Sequence, residues 1–156
     1  MQLGFVTAIL HDMTLEEVLA FAADEGFPCV ELMCWPPGQA ERRYAGVTHL
    51  DVATFDDEAG EHFRDLLRIH GVQVSGLGYY PNPLDPHPPH RTMVVEHLKK
   101  VIRAAPKAGV KVVNTFIGRS PRQKLFCLGR IVMLLGIAGL SLQLIGALHG
   151  CFRPEV

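Results

Sequence analysis

The stretch Gly71-Val72-Gln73-Val74-Ser75-Gly76-Leu77-Gly78, followed by Tyr79-Tyr80-Pro81-Asn82-Pro83, leaves this chain few ways to fold. A short run of β-branched and apolar residues bounded by glycines reads as a buried central strand. The proline-rich loop begins where the C-terminal end of that strand falls, and in parallel α/β folds this end carries the ligand. The entry into the strand is repeated. Gly26-Phe27-Pro28-Cys29-Val30-Glu31, Gly71-Val72-Gln73-Val74-Ser75 and Gly109-Val110-Lys111-Val112-Val113-Asn114 each follow a charged helical segment. Each places glycine where a helix needs a left-handed C-cap, and then a strand. Three helix-glycine-strand junctions predict a repeated βα architecture.

At 156 residues the chain is long enough for one domain with a real core. A formal net charge of −1 points neither to nucleic acid nor to an anionic membrane. Residues 2–9 read as a first strand and not as a signal peptide, because no basic segment precedes them and His11 and Asp12 follow closely. The four cysteines, Cys29, Cys34, Cys127 and Cys151, form no CxxC pair. Reduced thiols and a cytoplasmic location are therefore expected.

The acidic residues are unevenly spread. Of sixteen, only Glu155 follows position 124, and no charged residue occurs from Ile131 to Leu148. This divides the chain into an α/β segment, 1–123, and an apolar tail, 124–156.

Within the first segment, strands are expected over 2–8, 28–33, 72–77 and 110–117, in one parallel sheet of order 1-2-3-4 with helices on one face. Thr14-Leu15-Glu16-Glu17 is a capping box opening the first helix, which stops at Gly26. The second helix runs from about Asp56 to His70, and the third from Thr92 to Ala108, with Pro106 in its last turn. An irregular stretch runs from Trp35 to about Thr54, a length often functional. Tyr79 to His90 holds five prolines in twelve residues and reads as a shaped loop. Four strands and three helices in this order make about half of a TIM (β/α)8 barrel. An open doubly wound sheet is the competing architecture, but Thr7-Ala8-Ile9-Leu10-His11-Asp12 stands where its glycine-rich phosphate fingerprint would be.

Val30-Glu31-Leu32, Ser75-Gly76-Leu77-Gly78-Tyr79-Tyr80-Pro81-Asn82-Pro83-Leu84, His97-Leu98-Lys99-Lys100 and Gly109-Val110 through Val113-Asn114-Thr115-Phe116-Ile117-Gly118-Arg119 resemble the sugar phosphate isomerase/epimerase family. That family has the xylose isomerase-like TIM barrel, shared with the apurinic-site endonucleases. The resemblance covers residues 1 to about 123. It implies a metal-dependent aldose–ketose isomerisation or epimerisation through an enediol. A divalent metal (Mn, Mg, Co or Zn) would polarise the carbonyl while two carboxylates move the proton. The metal ligands of such a barrel lie on its later strands, which nothing here matches, so this segment is expected to bind no metal and to hold no catalytic residue of its own. The endonuclease branch would place histidines where Tyr79/Tyr80 and Asn114/Thr115 stand, which disfavours it.

Candidate substrate-binding residues cluster at the expected strand ends. Glu31 ends the second strand, where a carboxylate could hold a sugar hydroxyl. Trp35 and Tyr79, with Tyr80 and Phe116, could wall a sugar pocket through their apolar faces, although core packing suits them equally. Asn82, Asn114 and Arg119 are polar groups at strand ends, and Arg119 would suit a phosphate or carboxylate. Asp85, His87 and His90 invite a metal reading, but a solvated loop explains them better.

The tail is expected to form a helix over roughly 125–148, apolar all round. It reads as a membrane span at the lower edge of the required length, as a buried helix on the open half-barrel, or as translation in an altered frame after about Arg122. The last is preferred, because family resemblance and acidic residues end together. The isolated chain is then expected to aggregate or bind detergent, and truncation after Arg122 to improve solubility.

Two functions follow. The first is an isomerase/epimerase-like protein acting on a sugar or sugar phosphate, truncated and inactive alone. The second is a non-enzymatic small-molecule binding module, anchored or dimerised through its tail or open sheet edges. Sugar, sugar phosphate, inositol and hydroxypyruvate all remain candidate substrates.

Overall fold

The computed structural model describes residues 2–38, 45–116 and 130–134. Strand β1 (Gly4–Val6) runs into a single 3-10 turn at Thr7–Ile9, so it is shorter than the 2–8 expected. Helix α1 (Leu15–Asp24), strand β2 (Cys29–Met33), helix α2 (Asp57–His70), strand β3 (Gln73–Gly78), helix α3 (Pro88–Lys107) and strand β4 (Val112–Phe116) follow in alternation. β1 pairs with β2, β2 with β3 and β3 with β4, all parallel, in the order the sequence predicts. Four parallel strands in chain order with a helix between each pair make about half of a (β/α)8 barrel.

The junction glycines behave as their spacing suggests. Gly26, Gly71 and Gly109 carry φ of 74°, 68° and 72°, a region that costs other residues dearly. After each glycine the next residue donates its N–H back into the helix it leaves. These bonds are Phe27 to Ala22 at 2.8 Å, Val72 to Leu67 at 3.2 Å and Val110 to Ala105 at 2.9 Å. The same device thus ends all three helices and aims each successor strand into the sheet. At the other end of α1 the capping box is complete: Thr14 N–H donates to Glu17 Oε2 at 2.7 Å, and Glu17 N–H returns to Thr14 Oγ1 at 3.3 Å.

Helix α3 starts four residues before the expected Thr92. Pro88 and Pro89 occupy its first turn, where a proline's fixed φ suits the helix and its missing N–H would have had no partner. The shaped loop after β3 is correspondingly shorter.

Strand alternation sorts the sheet into two faces. Val30, Leu32 and Cys34 on one side of β2 join Leu77, Val113 and the helical residues Leu19, Phe63 and Val101 in the main core. Glu31 and Met33 point to the opposite face, the inside of a barrel. After β2 the chain returns across that strand's end. Cys34 and Thr48 form an antiparallel bridge, and His49 N–H reaches Met33 O at 3.0 Å.

The tail departs from expectation. Residues 130–134 form a fifth strand, β5 (Arg130–Leu134), antiparallel to β4 with Val132 opposite Asn114, and are not helical. The physical reason is the outer edge of β4, whose N–H and C=O groups template pairing with an apolar, partly β-branched run. The rest of the helix expected over 125–148 lies outside the described residues. Among the described residues no helix is long and apolar enough to cross a membrane.

Candidate functional site

The inner face of the sheet is built around a bare strand. On β3, Gly76 and Gly78 both face the barrel interior, and side chains from either neighbour lie across them. Register places Glu31 of β2 beside Gly76, and Asn114 of β4 beside Gly78. A Cβ added at Gly78 would fall 2.2 Å from Met33 Cε, 2.9 Å from Glu31 Oε1 and 3.0 Å from Tyr80 Cε2. One added at Gly76 would fall 2.7 Å from Asn114 Nδ2. The glycines therefore allow a carboxylate and a carboxamide to approach from opposite sides over one strand. Glu31 and Asn114 are 7% and 6% exposed, so both polar groups are held in place rather than solvated.

Tyr80 completes this arrangement. Its hydroxyl donates to Glu31 Oε1, and its ring lies against Phe116, with centroids 5.0 Å apart. Phe116 itself is half exposed, at the outer end of β4. Trp35 and Tyr80 both pack on the cluster of Ala8, Met33 and Val47, and Trp35 meets Tyr79 edge-on at 5.5 Å.

Around β2's C-terminal end two buried histidines tie loops to the sheet. His49 bonds Thr7 Oγ1 at 2.9 Å through Nδ1 and Leu10 O at 3.1 Å through Nε2. Thr7 Oγ1 also accepts Met33 N–H at 3.1 Å. The carbonyl of Leu10 can only accept, so Nε2 carries the proton, and Nδ1 accepts from the Thr7 hydroxyl. His97 bonds Cys34 O at 2.8 Å and lies 4.5 Å from the Tyr79 ring. Burial lowers the pKa of both imidazoles, opposed in part by these carbonyl acceptors. Both are therefore neutral structural clamps.

Of the residues proposed from sequence, Glu31, Trp35 and Asn114 reach the inner face or its rim. Tyr79 does not. It is 1% exposed in the helix-side core, against His97, and burial pushes its hydroxyl up to about 12. Strand alternation continues past β3 and sends Leu77 and Tyr79 one way, Gly78 and Tyr80 the other, so the pocket-side tyrosine is Tyr80. Asn82 shapes the loop after β3, its Oδ1 accepting Leu84 N–H at 3.0 Å. Arg119 lies outside the described residues. Asp85 Oδ1 accepts the His87 N–H at 2.8 Å, within the same loop. Among the described residues no three His, Cys, Asp or Glu side chains converge to hold a metal ion.

Residues 19–132 match the family described as xylose isomerase-like TIM barrel. The chain belongs to that family. The xylose isomerase-like match extends through most of β5, beyond the limit near 123 set by motif resemblance alone. Three solved structures are similar at low identity. A protein from Parabacteroides distasonis is 20% identical, with a TM-score of 0.49, over 73% of this chain and 42% of that one. The probable 3-DHS dehydratase AsbF of petrobactin synthesis from Bacillus anthracis is 15% identical, with a TM-score of 0.47, over 74% and 38%. The protein SMc04130 from Sinorhizobium meliloti is 18% identical, with a TM-score of 0.43, over 79% and 39%. The chain spans about four-tenths of the length of these structures. No curated protein matches it.

Proposed function

We propose that this chain is a sugar isomerase/epimerase-like protein whose described residues supply the polyol-binding half of a barrel mouth. The observation that carries this reading is the meeting of Glu31, Tyr80 and Asn114 over Gly76 and Gly78. A carboxylate accepts hydrogen bonds, a phenol gives or takes one, and a carboxamide does both. Three such groups held against a sheet, with the aromatic rings of Trp35 and Phe116 at the rim, suit a ligand that alternates hydroxyls with C–H faces. A sugar or sugar phosphate fits that description.

A divalent metal in the family reaction would polarise the substrate carbonyl. The described residues do not make a donor set for one, since Glu31 stands without a second and third ligand among them. What these residues do is bind and orient. The Glu31 carboxylate accepts a substrate hydroxyl, Asn114 sets the register of a neighbouring oxygen, and the glycine floor lets the ligand lie close to the backbone.

Trp35 is the sole tryptophan, so its fluorescence reports on this corner alone. Titrating D-fructose, D-xylulose and their phosphates into the full chain should give a saturable change. Glu31→Gln should weaken it about tenfold or more, as expected for a hydrogen bond to a charged acceptor. A saturable response unaffected by Glu31→Gln, or no response to any of the four, would remove the reading. Interconversion of ketose and aldose by the same sample would identify the enzyme. Binding without turnover would favour a binding module.

A further inference from the structure

Trp35 Nε1 is buried and has no hydrogen-bond acceptor among the described residues. Buried side-chain polar atoms are nearly always paired, and one that is not calls for an explanation. A loosely held residue is not the explanation at this position. Trp35 N–H donates to Val47 O at 3.3 Å, and Trp35 O accepts the Thr48 hydroxyl at 2.7 Å, so the backbone is fixed on both sides. The ring is held edge-on to Tyr79 and packed against the cluster of Ala8, Met33 and Val47. Everything about the residue is satisfied except its one side-chain donor.

That donor belongs to the same corner of the inner face as the group proposed to bind substrate. Trp35 and Tyr80 both pack against the small cluster of Ala8, Met33 and Val47, and Tyr80 bonds Glu31 through its hydroxyl. We infer that the Trp35 indole N–H is a ligand-binding donor, taking an oxygen of the same molecule whose hydroxyl Glu31 accepts. This rests on the polyol-binding reading above and adds a recognition element of opposite sense. An indole N–H can only donate and a carboxylate can only accept. The pair therefore selects a ligand that offers a hydroxyl hydrogen at one position and an acceptor oxygen at another. A donor left without its partner is also how a site rejects analogues that lack the matching oxygen.

The test uses the full chain, whose single tryptophan gives a single indole cross-peak in a ¹⁵N–¹H spectrum. D-fructose is added while calorimetry follows binding independently. The indole proton should move to lower field and saturate at the calorimetric midpoint, and Trp35→Phe should weaken binding about tenfold. Calorimetric saturation with an unmoved indole peak would overturn the inference while leaving the polyol site standing. A long-lived water in exchange contact with the indole proton of the free protein would overturn it too, since the donor would then be satisfied structurally. Absence of calorimetric binding by D-fructose and the other three sugars would bring down the polyol reading, and this inference with it. The spectrum of the wild-type chain decides the matter even if Trp35→Phe fails to fold.

Discussion

The Tyr80 hydroxyl donates a hydrogen bond to Glu31 Oε1, joining the loop after β3 to the middle of β2 on the inner face of the sheet. Glu31 is nearly buried, so this bond satisfies a carboxylate that would be costly to leave short of donors. Tyr80→Phe removes the donor and keeps the ring against Phe116. It should destabilise the chain by about 1–3 kcal/mol, the range for stranding a buried polar partner. Combining it with Glu31→Gln in a double-mutant cycle should give a coupling of at least about 0.5 kcal/mol from urea midpoints. Strict additivity of the two changes would mean that they do not interact in solution.

The glycines of the inner face make a second, graded prediction. Gly78→Ala presses on Met33 Cε, the end of a flexible side chain, and on the Glu31–Tyr80 pair. About 1–3 kcal/mol of overpacking is expected, with loss of sugar binding exceeding loss of stability. Gly4→Ala is more severe, because its Cβ would lie 2.2 Å from the Cys29 backbone carbonyl, which cannot turn aside. Thermal unfolding of both variants ranks them. Equal melting temperatures would contradict the packing described.

What the sequence disclosed, and what it did not, follows from the range of the interactions concerned. The helix-glycine-strand junctions were legible because positive φ is a local demand that glycine alone meets cheaply. Parallel order followed from the alternation of elements. Helix α3 begins before the expected Thr92 because a first helical turn accepts Pro88 and Pro89, which elsewhere break helices. The sequence offers both Tyr79 and Tyr80 as pocket walls or core, and period-two alternation carried on from Leu77 separates them, Tyr79 to the core and Tyr80 to the inner face. The Glu31–Tyr80 bond and the His49–Thr7 bond join residues 49 and 42 positions apart, and no local pattern announces them. The run Ile131-Val132-Met133-Leu134 suits helix or strand by periodicity, and the edge of β4 decides between them.

The two clamping histidines predict an acid-sensitive fold. Both have folded-state pKa values below the ordinary 6.5, chiefly through burial. The unfolded chain then binds more protons than the folded one as pH falls through 6.5, so stability declines on acidification and levels off below the depressed values. Urea midpoints should drop between pH 7.5 and 5.5, and His49→Gln should flatten part of that slope. A midpoint that rises on acidification would reverse the sign and exclude neutral clamps.

The strand β5 changes what truncation should do. An apolar tail with no structural role would make a chain ending at Arg122 more soluble than the whole. Pairing of Arg130–Leu134 along β4 predicts the opposite, because removing β5 bares the full backbone edge of Val112–Phe116. Exposed strand edges recruit other strands. A fragment ending at residue 122 should therefore aggregate faster than the full chain at equal concentration. Met133→Pro tests the same contact without shortening the chain. Asn114 turns its backbone groups to β3, so Val113 opposite Met133 faces β5, and a proline at Met133 removes a ladder donor. Amide exchange at Val113 and Thr115 should accelerate in that variant while exchange in β2 is unchanged. If the fragment proves the more soluble species and Met133→Pro leaves β4 exchange untouched, β5 contributes nothing to the sheet edge.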